Sequence, residues 1–225
     1  MQRDEGAVLE VIGDASALSD PERSRVLTDI LDVMETCWDF DRDGVAQAFG
    51  AENFPFQSGY GVVFCHRGRR AVGYSIFFRV PLGTDHALYR AGAAVRPEER
   101  GRSCYRLLTE IMLREGFPAD DTGTRYLAWR TRNPFVWQFN ARLCREVAPA
   151  PLSLGSAHLR EACERIARIV YPRQLLLVPK MIMRDVYLHL SEKRPGTALD
   201  PTIDAWLSRT IPNPRDAIFA VGMLR

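Results

Sequence analysis

Between Leu88 and Leu108 the chain passes from an apolar run to a charged turn and then to a helical repeat. Leu88 to Val95 is apolar except for Arg90 and is closed by Pro97, the pattern of a buried strand. Arg96 to Arg102 is a charged turn with one glycine, Gly101. From Ser103 onward, Cys104, Leu107, Leu108, Ile111 and Met112 recur at three- and four-residue spacing, which predicts an amphipathic helix.

A strand that feeds a helix through an Arg-Gly turn has a definite chemical use. The first turn of a helix leaves its N–H groups without intrahelical partners, and the aligned peptide dipoles add partial positive charge there. That end suits a phosphate or pyrophosphate. Arg100, Arg102 and Arg106 surround it and offer charge-assisted hydrogen bonds worth about 1.5–3 kcal/mol each. The alternative is an ordinary strand-to-helix connection with solvated arginines.

Val95-Arg96-Pro97-Glu98-Glu99-Arg100-Gly101-Arg102, followed by Leu107-Leu108, resembles the core motif of the GNAT superfamily of acyl-CoA-dependent N-acyltransferases. The resemblance implies that backbone donors from Gly101, Arg102, Ser103, Cys104, Tyr105 and Arg106 cradle the pyrophosphate of coenzyme A. Ser103 and Tyr105 stand where the family pattern carries its two later glycines. A side chain at Ser103 narrows the approach of backbone to phosphate. The resemblance further implies that the pantetheine arm pairs with backbone near Val95. The small run Ala91-Gly92-Ala93-Ala94 fits either that close approach, with a bulge, or tight helix-on-sheet packing.

Tyr126 to Thr131 predicts the next strand, and Asn133-Pro134 the start of another helix with Phe135, Val136, Phe139 and Leu143 on its apolar face. By the resemblance Asn133 orients the coenzyme arm; read alone it is an N-cap. Many members of the family carry a tyrosine seven residues after that asparagine to protonate the departing thiolate. Here the position is Asn140, so Cys144 and Tyr187 are the remaining candidates for the acid. An amine must be neutral to attack a thioester, which calls for a proton acceptor. Tyr89, at the family's position for it, and the neighbouring His86 are the candidates.

Composition bounds the rest. With 225 residues, 46% hydrophobic and 26% charged, the chain is expected to be one domain with ample core. Lysine and arginine total 30, of which only Lys180 and Lys193 are lysines, yet net charge is just +2, so no nucleic-acid partner is expected. The five cysteines are scattered singly, which argues for reduced thiols in a cytoplasm and against a zinc site. The first residues are polar and no apolar run approaches about 18 residues, so a soluble protein with no membrane partner is expected.

Before the organising stretch, Ala7 to Ile12 suggests an edge strand, and Asp20-Pro21-Glu22 starts a helix with Asp20 as N-cap and Val26, Leu27, Ile30, Leu31, Met34 and Trp38 on one face. Asp39 to Gly44 breaks it, and a second helix is expected over Val45 to Phe49. The Asp39-Phe40-Asp41-Arg42-Asp43-Gly44 run resembles a calcium loop, but its twelfth position is Gly50 and supplies no carboxylate. Its other readings are an inter-helix turn or, by the resemblance, an acidic loop facing a cationic amine. Gly61–Cys65 and Ala71–Val80 predict a hairpin around His66 to Arg70.

Beyond Leu143 the pattern predicts a helix capped by Ser156, a kinked strand within Leu175–Leu190, a short helix around Ile203 to Leu207 and a closing strand, Asp216–Leu224. His158 and His189 are isolated, and no metal is expected. The expected fold is a single α/β GNAT-like domain, 1–225, with a mixed, mostly antiparallel sheet flanked by helices. Its core spans about 60–145, and 146–215 is a divergent excursion. The implied function is transfer of an acyl group, most simply acetyl, from acetyl-CoA or another acyl-CoA to an amine of a small molecule or peptide. A catalytically silent module that binds acyl-CoA or a protein partner is the alternative, acylation from a carrier protein is a third reading, and a homodimer is left open.

Overall fold

The computed structural model describes residues 6–118, 122–174, 176–193 and 196–225. In chain order the elements are β1 (Ala7–Ile12), α1 (Asp20–Cys37), β2 (Trp38–Asp39), α2 (Arg42–Ala51), β3 (Tyr60–Arg67), β4 (Arg70–Leu82), β5 (Asp85–Val95) and α3 (Cys104–Gly116). There follow β6 (Arg125–Thr131), α4 (Pro134–Ala141), β7 (Cys144–Ala148), α5 (Ala157–Val170), β8 (Leu176–Leu177), β9 (Ile182–Met183), β10 (Ser191–Glu192), α6 (Pro201–Thr210) and β11 (Ala217–Leu224). The result is a mixed α/β fold whose strand pairings are mostly antiparallel, with helices flanking the strands.

The residues gather into two compact units. The first comprises Met1–Arg79, Arg90–Pro118 and His189–Arg194; the second comprises Val80–Tyr89, Ala119–Leu188 and Pro195–Arg225. In the first, the strands run in the order β1-β3-β4-β5. Helix α1 covers them because Val26, Ile30, Leu31, Val33, Met34 and Cys37 recur on one side of its 18 residues. These meet Val62, Phe64, Tyr74 and Ile76 in one apolar cluster, each buried aliphatic or aromatic contributing about 1.5–3 kcal/mol. The helix begins one residue earlier than the sequence suggests. Ser19 is the N-cap and forms a capping box with Glu22, whose carboxylate accepts from the Ser19 N–H at 2.8 Å. Helix α2 begins at Arg42, so Asp43 sits in its first turn, where a negative charge is favoured.

Arg90, the one charge within 88–95, is buried, donating from Nη2 to Thr109 Oγ1 at 2.8 Å and lying over the Tyr105 ring at 5.0 Å. It therefore ties β5 to the first turns of α3. Gly73 of β4 lets the same corner close. A β-carbon there would lie 2.9 Å from Cys104 Sγ and 3.1 Å from both the Ala94 carbonyl oxygen and Val95 Cγ2.

In the second unit β11 is central. It pairs antiparallel with β6 through Ile218↔Thr131 to Met223↔Tyr126, and its other edge is shared by β9 and β7. Helix α5 is capped by Ser156, whose Oγ accepts from the Leu159 N–H, and it buries Leu159, Ala162, Cys163, Ile166 and Ala167. The strand expected within Leu175–Leu190 is not continuous. Leu175 lies outside the described residues, and the remainder forms the two-residue strands β8 and β9 as a small antiparallel ladder. Met181 and Asp185 take positive φ of 54° each, which ends extended structure on either side of β9. Strand β7 has no counterpart in the sequence reading. No helix among the described residues is long and apolar enough to cross a membrane.

Gly73→Ala should lower stability by about 1–3 kcal/mol, because a methyl group there must displace backbone as well as the Cys104 sulfur. Denaturant unfolding would read this, and an unchanged midpoint would contradict the packing of β4 against β5 and the α3 head.

Candidate functional site

The turn from β5 to α3 is built by the chain's own hydrogen bonds. The Arg96 N–H donates to the Val72 carbonyl at 2.9 Å and its Nε to the Ala71 carbonyl at 2.8 Å, so Arg96 is buried as an anchor. Burial, with Arg70 nearby, lowers its pKa from the usual arginine range. Pro97–Glu99 then forms one 3-10 turn. Glu99 is buried; its carboxylate accepts from Arg67 Nε at 2.7 Å and has Arg102 at 3.8 Å. This ion pair fixes the turn to the end of β3.

Past Glu99 the backbone turns left-handed twice, with φ +81° at Gly101 and +63° at Ser103. Glycine takes that conformation at little cost, whereas serine pays about 1–2 kcal/mol for it. Ser103 is the N-cap of α3, yet its side chain makes no capping hydrogen bond and the residue is exposed. The first bond of the helix is Leu107 N–H to the Ser103 carbonyl at 2.9 Å. The N–H groups of Cys104, Tyr105 and Arg106 thus precede the intrahelical ladder and carry the positive end of the dipole. Of the donors expected from the sequence, Arg102 N–H is turned inward onto the Glu99 carbonyl at 3.3 Å.

The arginines are arranged unequally. Arg100, Arg102 and Arg106 are exposed, with Arg106 paired to Glu110 at 2.9 Å on the solvent side. Such surface pairs are worth about 0–1 kcal/mol and yield readily to a stronger anion. Val95 is buried, and its carbonyl accepts from the Cys37 thiol at 3.4 Å. The first unit therefore brings Val95, Arg100, Gly101, Arg102, Ser103, Cys104, Tyr105 and Arg106 onto one strand–turn–helix corner.

His86, Tyr89 and Asn133 belong to the second unit. Asn133 caps α4, its Oδ1 accepting from the Val136 N–H at 3.3 Å, and Gly196 passes directly over its amide. His86 and Tyr89 are three residues apart on β5, and strand alternation sends them to opposite faces. Tyr89 is 2% exposed, and its hydroxyl makes a short contact with the Tyr171 hydroxyl. Burial, and then Tyr171, hold its pKa well above the usual phenol value. The sequence places Tyr89 among the proton-acceptor candidates; its burial and its contact with Tyr171 disfavour the phenolate.

Asn140 is fully buried in α4. The Cys144 Sγ donates to the Asn140 carbonyl at 3.4 Å, and burial pushes the thiol up to about 12. It is a structural thiol. Tyr187 faces Arg130, whose guanidinium carbon lies 5.2 Å from the ring centroids of both Tyr171 and Tyr187. The sequence gives no sign of this grouping, because Arg130, Tyr171 and Tyr187 are far apart in the chain. Among the described residues no group of three or more His, Cys, Asp or Glu side chains is placed to hold a metal ion.

No family model and no curated protein matches this chain. Solved structures that it is similar to include a putative acetyltransferase of the GNAT family from Desulfovibrio desulfuricans, 18% identical, covering 67% of this chain and 93% of that one with a TM-score of 0.43. Another is the ribosomal-protein-S18-alanine N-acetyltransferase from Escherichia coli, 12% identical, covering 97% and 94% with a TM-score of 0.44. A third is AAC(6')-Iy in complex with a bisubstrate analogue of coenzyme A, 14% identical, covering 56% and 80% with a TM-score of 0.41. Overlaps of this size carry no argument about function.

Two measurements check this geometry. Ser103→Gly should leave stability equal or raise it by up to about 1 kcal/mol, whereas Ser103→Val should lower it by about 1–2 kcal/mol. Equal effects of the two in thermal unfolding would contradict the left-handed turn. Cys144 should resist alkylation at pH 8 in the folded protein and label fully after unfolding, because its thiolate is scarce and buried; rapid native labelling, read by mass spectrometry, would refute it.

Proposed function

We propose that this chain is an N-acyltransferase of the GNAT type, moving an acetyl or other acyl group from acyl-CoA to an amine of a small molecule or peptide. The observation that carries the reading is the head of α3. Two left-handed residues, Gly101 and Ser103, turn the backbone so that the Cys104, Tyr105 and Arg106 amides lead the helix beside exposed Arg100, Arg102 and Arg106. A β-carbon built on Gly101 meets nothing within 4 Å, so the turn's outer side is open to a ligand. Oriented amides and mobile cations of this kind suit a pyrophosphate, whose charge meets the helix dipole and the arginines together.

In the reaction the amine nitrogen forms a bond to the thioester carbonyl carbon, the C–S bond breaks, the amine loses a proton and the thiolate gains one. Binding energy at the pyrophosphate holds the thioester in place, and positioning of this sort supplies much of the rate. For the proton acceptor His86 remains the candidate, as a half-buried imidazole on β5.

A specific observation favours a second reading, a silent module that binds acyl-CoA. Asn140, at the position of the family's acid, is sealed in the core. Coenzyme release measured across a panel of amines separates the two, because saturable turnover excludes the silent module and binding without turnover supports it. Arg100→Ala should weaken acetyl-CoA binding about tenfold in calorimetry, from the loss of one charge-assisted contact. Unaltered affinity would count against the loop, and no coenzyme binding by the unmodified protein would end both readings.

A further inference from the structure

In the second unit Arg130 is a cation with no carboxylate ion pair among the described residues. Arg130 lies directly opposite Phe219 in the β6–β11 ladder and is only partly exposed. Its guanidinium carbon lies 5.2 Å from the ring centroids of both Tyr171 and Tyr187, and the group is hydrogen-bonded to Tyr187. Tyr171 packs edge-on against Tyr89 at 5.6 Å and against Phe219 at 6.2 Å, while Tyr89 and Phe219 stack at 5.9 Å. Three phenols and a phenyl ring therefore surround one positive charge, and among the described residues no carboxylate forms an ion pair with it.

That arrangement is costly unless something compensates it. Ring faces offer a guanidinium about 0.5–2 kcal/mol each. Tyr171 is also the C-cap of α5, so Arg130 is near a helix end that carries roughly half a negative charge. Both help, yet a whole charge in a partly desolvated place costs several kcal/mol. The guanidinium lies over both rings and bonds to the Tyr187 hydroxyl, while the Tyr171 hydroxyl is in contact with that of Tyr89. A guanidinium held over aromatic rings, with no carboxylate paired to it among the described residues, can receive an external anion.

We propose that Arg130, flanked by Tyr171 and Tyr187, is the binding site for the carboxylate of a small-molecule ligand. The fork presents two parallel N–H groups, which match the two oxygens of a carboxylate. One positive charge balances one carboxylate, whereas a phosphate dianion would keep an excess negative charge in an aromatic surround. The assignment does not depend on the transferase reading; if both hold, the natural candidate for the ligand is an amine that also carries a carboxylate.

The test follows the Nε–Hε signal of Arg130 by NMR in protein labelled at arginine, the signal being identified by its loss in Arg130→Gln. Sodium acetate should shift it saturably, while neutral, isosteric acetamide and sodium chloride at matched ionic strength should not. Arg130→Lys keeps the charge but lacks the fork, and its acetate affinity, read from the Tyr171 and Tyr187 ring signals, should fall about tenfold or more. Should Arg130→Gln fail to fold, the Lys variant and a Tyr187→Phe variant identify the signal instead. A shift caused equally by acetamide or chloride, no saturation with acetate, or tighter binding of inorganic phosphate than of acetate would each overturn the proposal.

Discussion

The site in the first unit depends on the burial of Glu99 against Arg67. A carboxylate taken this far from water persists only if a cation meets it, and Arg67 does so from the end of β3. With the turn pinned there, Arg96 pinned to Ala71 and Val72, and Arg90 pinned beneath Tyr105 and Thr109, the backbone between has little choice of path. It must reverse within a few residues and enter α3 head first. The left-handed geometry at Gly101 and Ser103 is the local consequence.

Division of labour among the arginines follows from the same anchoring. Arg67, Arg90 and Arg96 are structural: each donates to a carboxylate, hydroxyl or carbonyl oxygen inside the first unit. Arg100, Arg102 and Arg106 face solvent at the helix head. Arg130, in the second unit, belongs to neither group, lying over two aromatic rings with no carboxylate paired to it among the described residues. Arginine count alone says nothing of these roles; burial and partner chemistry separate them.

Much of the fold was legible because period and punctuation agree. The strand–turn–helix of 88–108, the helix after Pro21, the hairpin around Gly68 and the closing strand all carry strong local signals, and the structure contains each. The segment after Val170 was misread because short apolar runs do not tell a strand from a packed loop, and positive φ at Met181 and Asp185 is not encoded by glycine. At the site, the helix head was readable from Arg-Gly spacing and its resemblance. The neutral state of Tyr89 was not, since it arises from burial and from Tyr171, 82 residues further along the chain. The surroundings of Arg130 were invisible for the same reason: Tyr171 and Tyr187 come to it from far along the chain.

In the proposed function, coenzyme phosphates rest on the amides at the head of α3. Backbone amide NMR on the full chain titrated with coenzyme A addresses it most directly. The account predicts saturable shifts concentrated at Gly101 and Ser103 to Arg106, with the Arg102 amide, turned inward onto Glu99, moving less. Saturable shifts that leave this turn untouched and map to another part of the chain would contradict it.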